Sequence, residues 1–236
     1  MDSKLIRIGA GEHREMTLVC SEGSHRLEFE LVGEGASLDL ACVYICKGEM
    51  RLDFDIRVRH LVPGCTSRQL FKGLCFDSSR MEFNGLIYVA PGAEKTKAYQ
   101  ECHTLLVGPE GCPEGGPVAG GVAESGVLAQ TGSDAWPVGL GSGTGTVAGG
   151  VAESGTGTVG CRALAIASPQ LEIYADDVEC SHGATVGSLD EAQLFYMRSR
   201  GIPRSEAEKL QIISFLSPVL SRLDAKARAL VEKELG

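Results

Sequence analysis

The chemistry on offer in this sequence is thiol chemistry. Nine cysteines occur, Cys20, Cys42, Cys46, Cys65, Cys75, Cys102, Cys112, Cys161 and Cys180. Thiolate sulfur is a soft donor suited to iron and other transition metals. Cys180 and His182 stand two residues apart, and on a strand such residues face the same way, so both can address one ion. No Cys-x-x-Cys occurs, which argues against a ribbon or finger zinc site. The odd count, the irregular spacing and the lack of a visible secretory signal point to reduced thiols in a cytoplasmic protein. On residue type alone two readings stay open. A single cysteine in a β core is ordinarily a small buried hydrophobe, and a Cys-x-His pair can be packing. Cys42 and Cys46 share the parity of Leu38 and Leu40 and read as core. His13, His25, His60 and His103 show no partner pattern and read as surface residues. No Gly-x-x-x-x-Gly-Lys-Ser/Thr occurs, so ATP chemistry of that type must come from a partner.

Strands have to position these groups. Arg51 to Arg59 alternates strictly, with Leu52, Phe54, Ile56 and Val58 on one face and charges on the other. His25–Leu31 and Ser37–Cys46 alternate likewise, and shorter runs lie at Met16–Cys20, Gln69–Phe76, Met81–Val89 and His103–Val107. One more strand is expected at Gln170–Ala175. Gly, Pro, Asp and Ser punctuate the runs. Frequent strands without helical periods between them mean a sandwich, a barrel or an irregular β-solenoid, and periodicity cannot choose among these.

Helical patterns follow. Ser188 to Glu191 reads as a capping box for a helix to about Arg200, stopped by Gly201. Ser205 to Glu208 is a second box, for a helix to about Leu216. Ser217-Pro218 opens a third amphipathic helix with Leu220, Leu223, Ala227, Leu230 and Val231 on one side.

Composition separates one block from the rest. Residues 108–160 hold 17 of the 31 glycines, five acids and no Lys or Arg. Val118–Gly126 recurs identically as Val147–Gly155. Such a stretch has little to bury against a high ordering cost, and reads as a flexible insert; the alternative is a short hairpin with Trp136 near its tip. The formal charge of −9 argues against a nucleic-acid partner. No apolar run is long enough to span a membrane. The expected organisation is a β core over 1–107, the insert over 108–160, the last strands over 161–187 and a helical subdomain over 188–236.

The stretch from Pro169 onward reads PQLEIYADDVECSHGATVGSLDEAQLFYMRSRGI. It closely resembles the C-terminal signature of the SufB/SufD family, scaffold components of SUF iron–sulfur cluster assembly. Phe71-Lys72-Gly73, Phe83-Asn84-Gly85-Leu86-Ile87 and the run Tyr99 to Val107 are similar to that family's β core. The resemblance covers roughly residues 12–107 and 162–216. It implies a mainly β fold, a right-handed parallel β-helix (β-solenoid) with a C-terminal α-helical cap. It implies a non-catalytic scaffold on which a transient iron–sulfur cluster is assembled, with a SufC-like ABC ATPase as partner. The second subunit would be another SufB/SufD-like chain or a second copy of this one. Strands begin almost at Met1, so the helical N-terminal region of larger members is expected to be absent.

Residue by residue, the resemblance makes Cys102 and His182 metal ligands and adds Cys180 as a cofactor-binding residue. It places ATPase docking at Leu194, Phe195, Tyr196, Arg198, Arg200 and Gly201. SufB members carry Glu after this His where Gly183 stands here. The internal sulfur-accepting cysteine is left open among Cys42, Cys46, Cys65 and Cys75. Two rival readings are an ATPase-docking subunit that holds no cluster and, more weakly, a carbohydrate-active β-helix enzyme. The latter would want a groove of clustered carboxylates, which the sequence does not suggest.

Overall fold

Period-two alternation needs a partner for each apolar face, and two sheets supply it. The computed structural model describes residues 4–108 and 163–235; the 108–160 block therefore lies, apart from Gly108, outside the described residues. Ten strands and three helices follow in order: β1 Lys4–Ile8, β2 His13–Cys20, β3 Gly23–Leu31, β4 Ser37–Cys46, β5 Arg51–His60, β6 Thr66–Phe76, β7 Arg80–Val89, β8 Lys97–Val107, β9 Leu164–Ile173, β10 Glu179–Ser188, α1 Glu191–Ser199, α2 Arg204–Leu220 and α3 Ala225–Leu235. Successive strands enter opposite sheets. The first sheet has the order β1-β3-β5-β7-β9 and the second β10-β8-β6-β4-β2. Every pairing is parallel.

The register aligns like with like. Leu27, Ile56 and Gly85 stand side by side on β3, β5 and β7, an advance of 29 residues at each step. The inward rows of both sheets form one core that includes Phe29, Leu40, Tyr44, Phe54, Phe71 and Phe83. Phe54 is in ring contact with Tyr44, Phe71 and Phe83 at centroid distances of 5.7, 5.4 and 6.3 Å. Turns from odd to even strands are made by glycines in the left-handed region, among them Gly35 (φ 71°), Gly64 (φ 70°) and Gly92 (φ 79°). A side chain at these positions would be strained.

The outer faces differ. On the first sheet charges pair along the strands, as with Arg59–Glu30 at 2.9 Å and Arg26–Asp55 at 2.9 Å. On the second sheet the outward row is apolar. Ala41, Val43, Ile45 and Leu74 are covered by Ile212, Leu216, Val219, Leu220 and Val231 of α2 and α3. The helices thus lie on the flank of the second sheet, and do not form the end cap expected from sequence. Lys72 fixes this layer by donating to the Phe215 carbonyl at 3.1 Å, with its ammonium 4.7 Å from the Phe215 ring centroid.

Several local boundaries depart from the sequence reading: β8 starts at Lys97 rather than His103, and α2 starts at Arg204 after Pro203 with no side-chain cap from Ser205. Ser188 ends β10, and Asp190 caps α1 by accepting from the Ala192 and Gln193 amides. Gly201 (φ 87°) does stop that helix. Helix α2 runs through Pro218 to Leu220 with no break at Ser217. Burial of Leu216, Val219 and Leu220 outweighs the proline's lost hydrogen bond. The late strand covers Leu164–Ile173 rather than Gln170–Ala175. It carries Pro169, which its place at a sheet edge permits.

Two motif glycines have packing reasons. A Cβ at Gly73 would lie 2.1 Å from the Tyr44 ring, because that ring lies flat across Gly73 to reach β8. A Cβ at Gly85 would lie 2.2 Å from Gln100 Oε1, which projects from the opposite sheet. Gly73→Ala should therefore cost about 1–3 kcal/mol by overpacking. Urea unfolding of Gly73→Ala beside Tyr44→Leu/Gly73→Ala checks this: the second variant should remove the alanine's penalty, and an unaffected single variant would refute the contact.

Candidate functional site

The candidate ligands gather on the last two strands of the second sheet. Among the described residues β10 is an edge strand and pairs only with β8. His182 stands beside Gln100, and Ala184 beside Cys102. Val186 packs into the main core, and Cys180 into a smaller cluster with Ala98 and Val89. Positions 180, 182, 184 and 186 therefore face inward together. His182 is a diagonal neighbour of Cys102 across the strand pair, and Cys180 lies one inward position further away. Among the described residues no three His, Cys, Asp or Glu side chains converge as a metal site. The three sequence-derived residues share a face but do not form a closed ligand set.

Their environments differ. Cys102 is fully buried, and burial pushes its thiol up to about 12, an effect partly offset by the Tyr44 phenol. Cys180 is half-buried; burial pushes it up to about 11, with the Ala98 backbone opposing. His182 is half-buried. Both thiols are protonated at neutral pH, and a metal would have to displace the proton.

Around Cys102 lies polar machinery that sequence reasoning missed. Tyr44 Oη is 2.6 Å from Thr104 Oγ1, donates to the His103 carbonyl at 3.4 Å and lies 4.0 Å from Cys102 Sγ. Burial raises its pKa well above the ordinary phenol value. Gln100 Nε2 donates to Gln69 Oε1 at 2.8 Å, in the row that continues to His182. Gln69 Nε2 and Gln100 Oε1 are left without partners. The signal that could have found this row was two glutamines at inward parity on adjacent apolar strands. On the outer face Gly183 stands opposite Glu101. The Glu101 carboxylate is held below its usual range, first by its hydrogen bond from His103 at 3.3 Å.

His60 corrects the surface reading. It is fully buried, with Nε2 2.9 Å from Ser67 Oγ and Nδ1 unpartnered. His13 is exposed, whereas His25 and His103 are half-buried; His25 stacks on Phe54 at 5.6 Å. Among the expected docking residues Phe195 and Tyr196 are 73% and 58% exposed, and Arg198, Arg200 and Gly201 are exposed too. Leu194 is fully buried and cannot belong to that surface. Leu210 and Ile213 of α2, 47% and 48% exposed, are further apolar side chains left open on the helical layer.

A two-sheet parallel β stack with inward thiols and a flanking helical layer defines a class, and sequence comparison identifies it. Residues 9–112 and 159–215 match the family model described as SUF system FeS cluster assembly, SufBD core domain. The match covers more than half of the chain, and the chain belongs to this family. It is similar to the iron–sulfur cluster assembly protein SufD of Escherichia coli (strain K12), 31% identical over 199 residues, which is 84% of this chain and 35% of that protein. It is also similar to SufD of Bacillus subtilis (strain 168), 28% identical over 205 residues, covering 87% and 34%. Protein ABCI7, chloroplastic, of Arabidopsis thaliana is 27% identical over 201 residues, covering 85% and 31%. The chain spans about a third of the length of these curated relatives. Among the described residues no helix is long and apolar enough to cross a membrane.

Burial lowers the His60 pKa from 6.5 to about 4. Between these values the unfolded chain takes up a proton that the folded chain refuses. Stability from this group is complete above about pH 6.5 and falls as pH drops toward 4, by up to about 3 kcal/mol. The stability difference between wild type and His60→Leu, followed by urea unfolding, should shift by that amount in favour of the variant from pH 7 to pH 4. A pH-independent difference would contradict a buried neutral imidazole.

Proposed function

We propose that this chain is a scaffold subunit for iron–sulfur cluster assembly, working with a SufC-type ABC ATPase in the cytoplasm. We further infer that the alternating strands wind as a right-handed parallel β-helix. The observation that carries the functional reading is the pairing of β8 with β10, which makes Cys102 and His182 diagonal neighbours at a sheet edge. Soft thiolate suits iron, and a nitrogen ligand allows easier exchange than a fourth thiolate. A scaffold has to release what it assembles, so an incomplete ligand set on one chain fits the task. The remaining ligands would come from a second SufB/SufD-like subunit or a second copy of this chain.

Cys102 is closed off at rest. Its loading requires opening of the β8–β10 region and loss of the thiol proton, whose place the iron charge takes. ATP binding and hydrolysis in the partner would supply the opening. The partner would dock on Phe195, Tyr196, Arg198, Arg200 and Gly201, an apolar surface rimmed by arginine. This chain's part is to hold ligands and to move with the ATPase; bond-making on ATP is the partner's. The rival reading, a docking subunit that holds no cluster, draws on the lack of a three-donor set among the described residues and on Gly183 where SufB members carry Glu.

Anaerobic reconstitution of the complex with iron and sulfide separates the two. Wild type should develop sulfide-to-iron charge-transfer absorption, and Cys102→Ser and His182→Ala should lose most of it. A colourless wild-type complex that keeps its ATPase would favour the docking reading. Full loading of Cys102→Ser would refute this site.

Docking is checked separately. Phe195→Asp should weaken ATPase co-purification at least about 10-fold, the loss of one apolar anchor, while leaving the circular dichroism and thermal midpoint of the isolated chain unchanged.

A further inference from the structure

Cys46 and Cys75 are direct register partners on β4 and β6. Both are fully buried and belong to the core between the sheets. They stand at the strand ends, well away from the proposed cluster ligands: Cys75 is paired on its other side with Leu106, four residues beyond Cys102 on β8. We infer that Cys46 and Cys75 form a dithiol site for a thiophilic centre that bonds two thiolates and leaves no net charge, such as mercuric ion or a mono-substituted trivalent arsenic.

Three observations select that class. The two thiols stand side by side in the strand register and face the same core, and the neighbouring Cys75 thiol, followed by burial, raises the Cys46 pKa far above the ordinary thiol value. Among the described residues no third His, Cys, Asp or Glu joins them as a metal site. Zinc and iron, which want four ligands, are therefore unserved. The surroundings are the apolar core, where a net charge is costly. Two thiolates on a monovalent copper ion would leave a buried negative charge. Two on mercuric ion, or on an aryl-arsenic centre, leave none.

Entry is available at the strand ends. Cys46 is the last residue of β4, and Cys75 is the last but one of β6. The turns beyond them are held together by Gly48 N–H donating to Asp77 Oδ2 at 2.9 Å, Ser78 N–H to the Gly48 carbonyl at 3.0 Å and Ser79 Oγ–H to the Cys46 carbonyl at 3.2 Å. Strand ends open at lower cost than strand centres. With an aryl arsine oxide two S–H bonds break and two As–S bonds form. The oxide oxygen leaves with both protons as water, and arsenic stays trivalent.

The probe is phenylarsine oxide, titrated anaerobically onto the full chain and read by native mass spectrometry. The expected result is one adduct per chain with loss of one water, reversed by dithiothreitol but not by an equal concentration of a monothiol. Cys102→Ser and Cys180→Ser should keep it. Cys75→Val should weaken it on the order of 100-fold or more, because the second bond no longer closes intramolecularly. Cys46→Ser gives the same readout should the valine variant fail to fold. Absence of the adduct from wild type, persistence at full strength in both variants, or loss on Cys42→Val alone would each overturn the assignment. The outcome does not depend on the assembly reading, which the reconstitution experiment tests on Cys102.

Discussion

Parallel in-register pairing governs this molecule. Each rung places a residue beside its counterpart in the next, so one choice of residue type propagates along a row. The row Leu18, Cys42, Phe71, Cys102, Ala184 crosses all five strands of the second sheet. So does the row Met16, Leu40, Gln69, Gln100, His182. A ligand position is therefore set by the register of the whole sheet. A one-residue slip would turn Cys102 outward and bring Glu101 into the core. The aromatic contacts around Phe54 and the Tyr44 ring over Gly73 resist such a slip, because each crosses between strands or sheets.

Much of this was legible because alternation is a direct image of a half-buried strand. Leu52, Phe54, Ile56 and Val58 were inward on parity alone, and all four are buried. Cys42 and Cys46 read as core for the same reason and lie there. What parity could not give was which strands pair. Counterparts recur every 29 residues across β3, β5 and β7 with little identity between them. The trace they leave is in turn glycines such as Gly35, Gly64 and Gly92, which answer to backbone angle rather than side-chain type. The covered outer face also left a trace. Ala41, Val43 and Ile45 are apolar at the outward parity, and an apolar row on both faces means both are covered.

The harder part was polar and long-range. His60 continues the inward parity of Leu52, Phe54, Ile56 and Val58 and is buried with them, beside Ser67 across a turn; its polar residue type pointed to the surface against that parity. Tyr44 reads as a plain core aromatic, yet its hydroxyl reaches Thr104 on a strand two places away. Only the missing side chain of Gly73 permits that reach. Helix ends failed for a related reason. Pro218 is a local stop signal, and the contacts of Leu216, Val219 and Leu220 with the sheet overrule it.

Among the described residues three buried side-chain polar atoms, His60 Nδ1, Gln69 Nε2 and Gln100 Oε1, have no hydrogen-bond partner in a mainly apolar core. Apolar replacements of similar shape would remove their desolvation cost, so stability alone does not account for them. Two of the three belong to the row that ends at His182, on the edge strand. Tyr44 and Cys102 share the adjacent rows of the same sheet. The polar groups that cost the core most are thus concentrated where the candidate ligands stand, while the thiol-rich rows nearer β2 are packed almost entirely by apolar neighbours. Uneven placement of that kind separates the two thiol populations. Cys102 sits among hydrogen-bonding groups that can reorganise when its proton leaves. Cys46 has Cys75 beside it in register and Cys20 at a diagonal on β2, within an apolar cluster, which suits the pair to a bridging centre that brings no charge into the core.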